Sequence, residues 1–283
     1  MNATGVATQQ NQATFHPSRE MPSRQQLTAL LFFAISVPLL IPLAWFIPGA
    51  IAWIISAVLT WRTGDNPFRR RMGVLLGCVL LLATAPITTD TSDRGFLVLG
   101  GYFLAVVALP AIILGRTDPG VIRFQLWPKK FRWLDIFYVA ISIPLAWAVI
   151  KFYWYVNPFM PQQWWLPEVE DIKETWRLFI GINCVGIWDE LFFVNTVYGV
   201  LRSIFPFKIA NAAQGVVYTS VLFDMAFIGI GPIVVYIFAW TQGSMFEESE
   251  NLLYVLIVHL IVDYFLFQAI AGAYYPGFSF GFH

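Results

Sequence analysis

Residues 251–271 read NLLYVLIVHLIVDYFLFQAIA, an apolar run whose only acidic or basic side chains are His259 and Asp263. A helix crossing the hydrocarbon of a bilayer needs about 20 mostly apolar residues, so this run is long enough to span. An ionisable group at that depth costs at least a few kcal/mol and marks a functional site by default. His259 and Asp263 are four residues apart, so on a helix they share one face, where the carboxylate can hydrogen-bond or polarise the imidazole.

Comparable apolar stretches lie at 27–45, 47–61, 72–88, 95–114, 134–155, 177–202, 213–228 and 230–245. With 251–271 they predict an all-α fold, a polytopic transmembrane helical bundle of eight or nine membrane helices. The pairs 27–45/47–61 and 213–228/230–245 are short and joined by Pro/Gly turns, as expected of tight hairpins or of a re-entrant partner. Of the 283 residues 58% are hydrophobic and only 12% charged, about half the charged share of a soluble domain. That composition excludes a water-soluble globular protein, a disordered tail and a nucleic-acid binder. With 17 basic and 17 acidic residues, no net field selects an anionic partner. Cys78 and Cys184 lie in apolar runs and are expected as small buried hydrophobes, without a disulfide framework.

The charges at the loops are ordered. Arg19, Arg24, Arg62, Arg69, Arg70, Arg71, Arg116, Arg123, Lys129, Lys130, Arg132, Arg202 and Lys208 fall on one side of the predicted spans. Arg94 and the acidic stretch Glu168, Glu170, Asp171 and Glu174, with Lys173 and Arg177, fall on the other. Because Lys and Arg stay on the cytoplasmic side, a multi-pass protein with a cytoplasmic N-terminus is expected. The polar arm 1–26 lacks the apolar core of a signal peptide. Gln162-Gln163-Trp164-Trp165-Leu166-Pro167 reads as an interfacial aromatic belt. No internal repeat of the kind that builds many transporters is evident.

Two more apolar runs contain acids. One holds Gly186-Ile187-Trp188-Asp189-Glu190-Leu191-Phe192-Phe193, the other Leu222-Phe223-Asp224-Met225-Ala226-Phe227. Asp189 and Glu190 sit about 100° apart around a helix, so one can face a cavity while the other is held by a neighbouring helix. Packing these helices against the last one gathers carboxylates and an imidazole, a centre able to take a proton from water. The same cluster suits two further roles: a polar lock between helices, or a path for protons or ions. Asp224 lies towards the end of its run and reaches either the cluster or the interface. The chain has only His16, His259 and His283, so a two-histidine metal site is not available and no metal is expected. No cofactor motif is evident; bound lipid or pigment leaves none and stays open.

This order of elements, a paired acid, a middle segment, then His-x-x-x-Asp on a last helix, resembles the CPBP family of CAAX proteases and bacteriocin-processing enzymes. These are all-helical intramembrane endopeptidases. The resemblance covers roughly residues 175–270. Asp189-Glu190-Leu191-Phe192-Phe193 is similar to the family's Glu-Glu-x-x-x-Arg opening. Gly243 through Leu253, leading to His259 and Asp263, is similar to its closing segment. The resemblance implies Glu190 or Asp189 as base, with His259 and Asp263 as partners holding water or the oxyanion. Two positions depart: Val194 stands where the opening motif has Arg, and Phe227 where the middle Phe-x-x-x-His segment has His. The chain is therefore read as a polar arm (1–26), N-terminal membrane helices (27–174), a CPBP-like core (175–271) and an aromatic tail (272–283). Its expected function is that of an intramembrane endopeptidase homologue with full, weakened or lost activity. The alternatives are a pseudoprotease that binds another membrane protein as an assembly subunit and, ranked lower, a proton-coupled transporter. Its expected partners are membrane lipids and other membrane proteins, as substrate or complex subunit.

Overall fold

The computed structural model describes residues 21–126, 132–163 and 172–274. Among them every regular element is helical: α1 (Arg24–Leu40), α2 (Phe46–Arg62), α3 (Asn66–Ala83), α4 (Asp93–Thr117), α5 (Trp133–Val156), α6 (Ile172–Asp189), α7 (Gly199–Arg202), α8 (Phe207–Asp224), α9 (Gly231–Ser249) and α10 (Leu252–Tyr274). A short 3₁₀ turn, Met160–Gln163, follows α5, and a π-helical segment, Glu190–Tyr198, joins α6 to α7 without a break. Four continuous helices are long and apolar enough to cross a membrane: Asp93–Thr117, Trp133–Val156, Thr175–Arg202 and Leu252–Tyr274. The chain is an integral membrane protein.

The starts of the helices follow local chemistry. Ser23 caps α1 and closes a capping box with Gln26. Asp65 accepts the Phe68 amide at the head of α3, where Pro67 sits in the first turn, and Ser92 accepts the Gly95 amide at the head of α4. α9 stops where Glu250 turns left-handed (φ 50°), and Asn251 accepts the Leu253 amide to start α10 two residues later. That abrupt turn sets α10 immediately beside α9. The two expected hairpins are present, α1 packed along α2 and α8 along α9. In the second, Gly229 (φ +67°) lies so close to the Asn157 side chain that a Cβ would collide with it.

Residues of the basic loops meet where α4 and the α6–α7 run end. There Arg70 and Arg71 bind Asp118, Arg71 also reaches Ser203, Arg123 pairs with Glu250, and Arg202 binds Glu247. Burial works against ionisation of Asp118, yet the Arg70 hydrogen bond and the nearby Arg71 charge hold its carboxyl below its ordinary value. At the other end Arg177 binds Asp93 and the Thr91 carbonyl.

α10 is the central helix, lying between α5 and α6 and touching α9 and the π segment. α4 packs on α3, α6 and the π segment, where Trp188 stacks flat on Phe103 (3.6 Å between centroids) and donates to its carbonyl at 2.9 Å. Cys78 is buried as expected, whereas Cys184 is exposed: its apolar run turns that face outward, along the rim of a cavity. α1 begins within the expected 1–26 arm, and α10 runs three residues into the expected tail. The rest of that tail, most of the arm, Lys129 and Lys130, Trp164–Pro167 and Glu168, Glu170 and Asp171 lie outside the described residues.

Candidate functional site

The polar residues of α6 and α10 meet where the two helices cross. Gly186 makes the crossing possible: a Cβ there would strike the Asp263 carboxylate and come within 3.1 Å of the His259 ring. One turn on, α6 changes to π-helical pitch at Glu190, and Thr196 Oγ1 returns a bond to the Leu191 carbonyl five residues back (2.8 Å). Such segments are frequent at functional sites because they re-aim a side chain without ending the helix.

The re-aimed side chain is Glu190. Its Oε1 lies 2.6 Å from His259 Nδ1 and accepts from Gln242 Nε2 of α9 at 2.9 Å. Gln242 also donates to the Val255 carbonyl at 3.2 Å, tying α9 to α10. The opposite ring nitrogen, His259 Nε2, stands 3.7 Å from Asp189 Oδ2 and 3.5 Å from Asp263 Oδ1. From α8, the Tyr218 hydroxyl approaches His259 Nδ1 at 3.3 Å, and the Phe238 ring of α9 meets the imidazole edge-on at 5.1 Å. Asp189, Glu190, His259 and Asp263 are each 4% exposed or less. A buried charge of this kind survives only with partners, and here the carboxylates and the imidazole are one another's partners.

Beside this cluster lies an apolar cavity of about 1040 Å³, bordered by α4, α5, α6, α9 and α10. Asp189, His259 and Asp263 line it, and Glu190 does not. The adjacent acids therefore divide the work: Asp189 faces the cavity, and Glu190 grips the far side of the imidazole. α4 packs towards α3 and α5 towards α10, so the cavity separates α4 from α5.

Of the residues picked out in the sequence, Asp189, Glu190, His259 and Asp263 come together. Asp224 does not. It ends α8, half-buried, with no hydrogen bond to the cluster and outside the cavity lining. Six residues past Tyr218, its side chain is turned by about 240° on the helix, away from the imidazole. Phe227, at the departed histidine position, stacks on Tyr153, and Val194 is fully buried. Tyr218 and Gln242 were missed. The signal was a polar stripe, Asn211, Gln214 and Tyr218 at i, i+3 and i+7 on α8, all fully buried. Among the described residues no group of three His, Cys, Asp or Glu side chains is arranged to hold a metal ion.

Residues 171–265 match the family model described as type II CAAX prenyl endopeptidase Rce1-like, about one third of the chain. This segment is an Rce1-like domain of the CPBP family. Every residue of the imidazole cluster lies inside it, as do α8 and α9. The Rce1-like domain is a membrane-embedded, all-helical protease fold, and over this segment the chain is homologous to intramembrane proteases. Neither the curated proteins nor the solved structures gave a match.

Proposed function

We propose that the Rce1-like domain is an endopeptidase site that cleaves a membrane-embedded polypeptide lying in the apolar cavity. The observation that carries this reading is the orientation of His259, held by Glu190 through Nδ1 while Nε2 faces the cavity between Asp189 and Asp263. A water placed there is oriented by the two carboxylates. His259 Nε2 takes its proton as the water oxygen attacks the peptide carbonyl carbon. The same proton passes to the leaving nitrogen as the C–N bond breaks, yielding a carboxylic acid and an amine. Glu190 fixes the tautomer and offsets the charge of the imidazolium, and the Tyr218 hydroxyl is a further donor beside the ring. The basic end of the bundle faces the cytoplasm in this reading, in keeping with the retention of Lys and Arg on that side. Bilayer lipid is the neighbour that fills the cavity mouth between α4 and α5.

One observation favours a second reading. Val194 and Phe227 replace an arginine and a histidine of the family motifs and are built into apolar packing. A pseudoprotease would keep the cavity as a binding surface for a membrane partner. Affinity purification from native membranes in mild detergent, wild type against Glu190→Gln, separates the two. An endopeptidase accumulates an uncleaved polypeptide on the variant alone. A stable partner in fixed ratio on both forms, with no processed product altered by Glu190→Gln or His259→Ala, would overturn the hydrolytic reading.

A further inference from the structure

The side of Glu190 turned away from the cavity is also polar, and the proposed function does not use it. Two contacts set the geometry. Gln242 of α9 bonds Glu190, and five residues on Glu247 of α9 accepts from the Tyr198 hydroxyl (2.6 Å) and from Arg202 (2.8 Å). The π segment and α9 therefore run side by side towards the basic end. Asn195 falls between these two rungs, one π turn beyond Glu190. It is 1% exposed, and neither of its amide atoms has a hydrogen-bond partner within the protein. Glu190 Oε2 and Gln242 Oε1 are likewise buried and unpartnered. Asn195 also lines a second, small cavity of about 50 Å³, together with Tyr198, Phe246 and Glu247. Arg123 and Glu250, an ion pair at 3.5 Å with Glu250 half exposed, border it on the surface side.

Buried amide and carboxylate oxygens without protein partners are ordinarily satisfied by ordered water, and a polar space of this size holds one or two molecules. An apolar space would stay dry; this one has an amide, a phenol and a carboxylate along its wall. We propose that the Asn195 cavity is a water-binding site, the inner end of an inlet from the basic face of the bundle to Glu190 Oε2. It hydrates the Glu190–His259 pair and exchanges its protons with solvent, separately from the apolar cavity that receives the substrate. The water site stands on this geometry alone, whereas its service to catalysis rests on the hydrolytic reading above.

Radiolytic hydroxyl-radical footprinting of the purified full chain in lipid nanodiscs tests it, because radicals formed from bound water oxidise the side chains next to it. Tyr198, as deeply buried as Phe192 and Phe193, and the partly buried Phe246 are expected to be oxidised severalfold faster than those two phenylalanines. Asn195→Leu is expected to bring both down to that slow rate, and Asn195→Ser to preserve it, with exposed Trp133 and Tyr155 unchanged as controls. Equal slow labelling of Tyr198, Phe246 and Phe193 in the wild type would overturn the proposal, as would labelling indifferent to Asn195→Leu. If Asn195→Leu does not fold, the wild-type contrast between Tyr198 and Phe193 decides alone. If a substrate is found, Asn195→Leu lowers kcat with little change in KM. An inactive protein that still labels Tyr198 would reject the hydrolytic reading and leave the water site standing.

Discussion

α4 and α5 are nearly the same length as α10 and comparably apolar, yet they are surrounded by different media. In α4 and α5 only 22% of the most apolar window is buried inside the protein; in α6 with its continuation, and in α10, it is 61%. The peripheral pair keeps its charges at the helix ends, as with Asp93, Arg94, Arg116 and Asp135, or lays Lys151 over the Trp147 ring at 4.9 Å. The central pair carries Asp189, Glu190, His259 and Asp263 along its interior. A polar side chain is tolerated within a span when protein, not lipid, supplies its partners.

Removing one partner from the interior should be the most damaging change. Glu190→Ala strips His259 Nδ1 and Gln242 of their shared acceptor, and breaking a buried pair in this way costs about 3–5 kcal/mol. Thermal unfolding in detergent should show that loss, whereas Glu190→Gln, which keeps the shape and a carbonyl acceptor, should unfold much nearer the wild type. Equal stability of all three proteins would mean that the cluster does not hold the helices. The converse experiment puts a carboxylate where lipid is. Leu109 on α4 is 50% exposed and lies outside the cavity lining, and Leu109→Asp should cost about 3 kcal/mol of membrane insertion, read as loss of chain from the membrane fraction. Normal yield would place α4 against protein instead.

Closer to the site, Gly186→Ala adds a methyl that meets the Asp263 carboxylate and the His259 ring. Overpacking of this kind costs about 1–3 kcal/mol, and it should also disturb the imidazole, so activity or partner capture should fall alongside melting temperature. A change in melting temperature with the site's behaviour intact would show that Asp263 can move aside. Tyr198→Phe removes the hydroxyl that donates to Glu247 and should cost about 1.5–3 kcal/mol in thermal unfolding, since the acceptor is charged.

Hydropathy and loop charge made the helices legible, because length and periodicity are local properties. His259 and Asp263 were legible for the same reason: four residues on one helix face need no tertiary knowledge. Which of Asp189 and Glu190 faces the cavity was not, since the answer depends on a π segment that nothing in ELFFVNTVY announces. Tyr218 escaped because a tyrosine in an apolar run reads as an aromatic. Asp224 stayed open between the cluster and the interface because acidity, without the face it points from, says nothing about whom it meets.

The smallest effect is the most informative about partners. Leu97 on α4 is 77% exposed and Leu266 on α10 is 4% exposed, so truncation to alanine should separate them. Leu266→Ala opens a void in packed protein and should cost about 2–5 kcal/mol. Leu97→Ala exchanges one lipid-facing apolar side chain for another with good helix propensity, and should stay within about 0.5 kcal/mol for the isolated chain. The same pair of substitutions can be followed in native membranes, by resistance to proteolysis on heating. There a cost at Leu97 approaching that at Leu266 has one physical meaning: another protein covers the outer face of α4. That result would favour the assembly-subunit reading without any assay of hydrolysis, and an unchanged, small cost at Leu97 would leave lipid as the neighbour of α4.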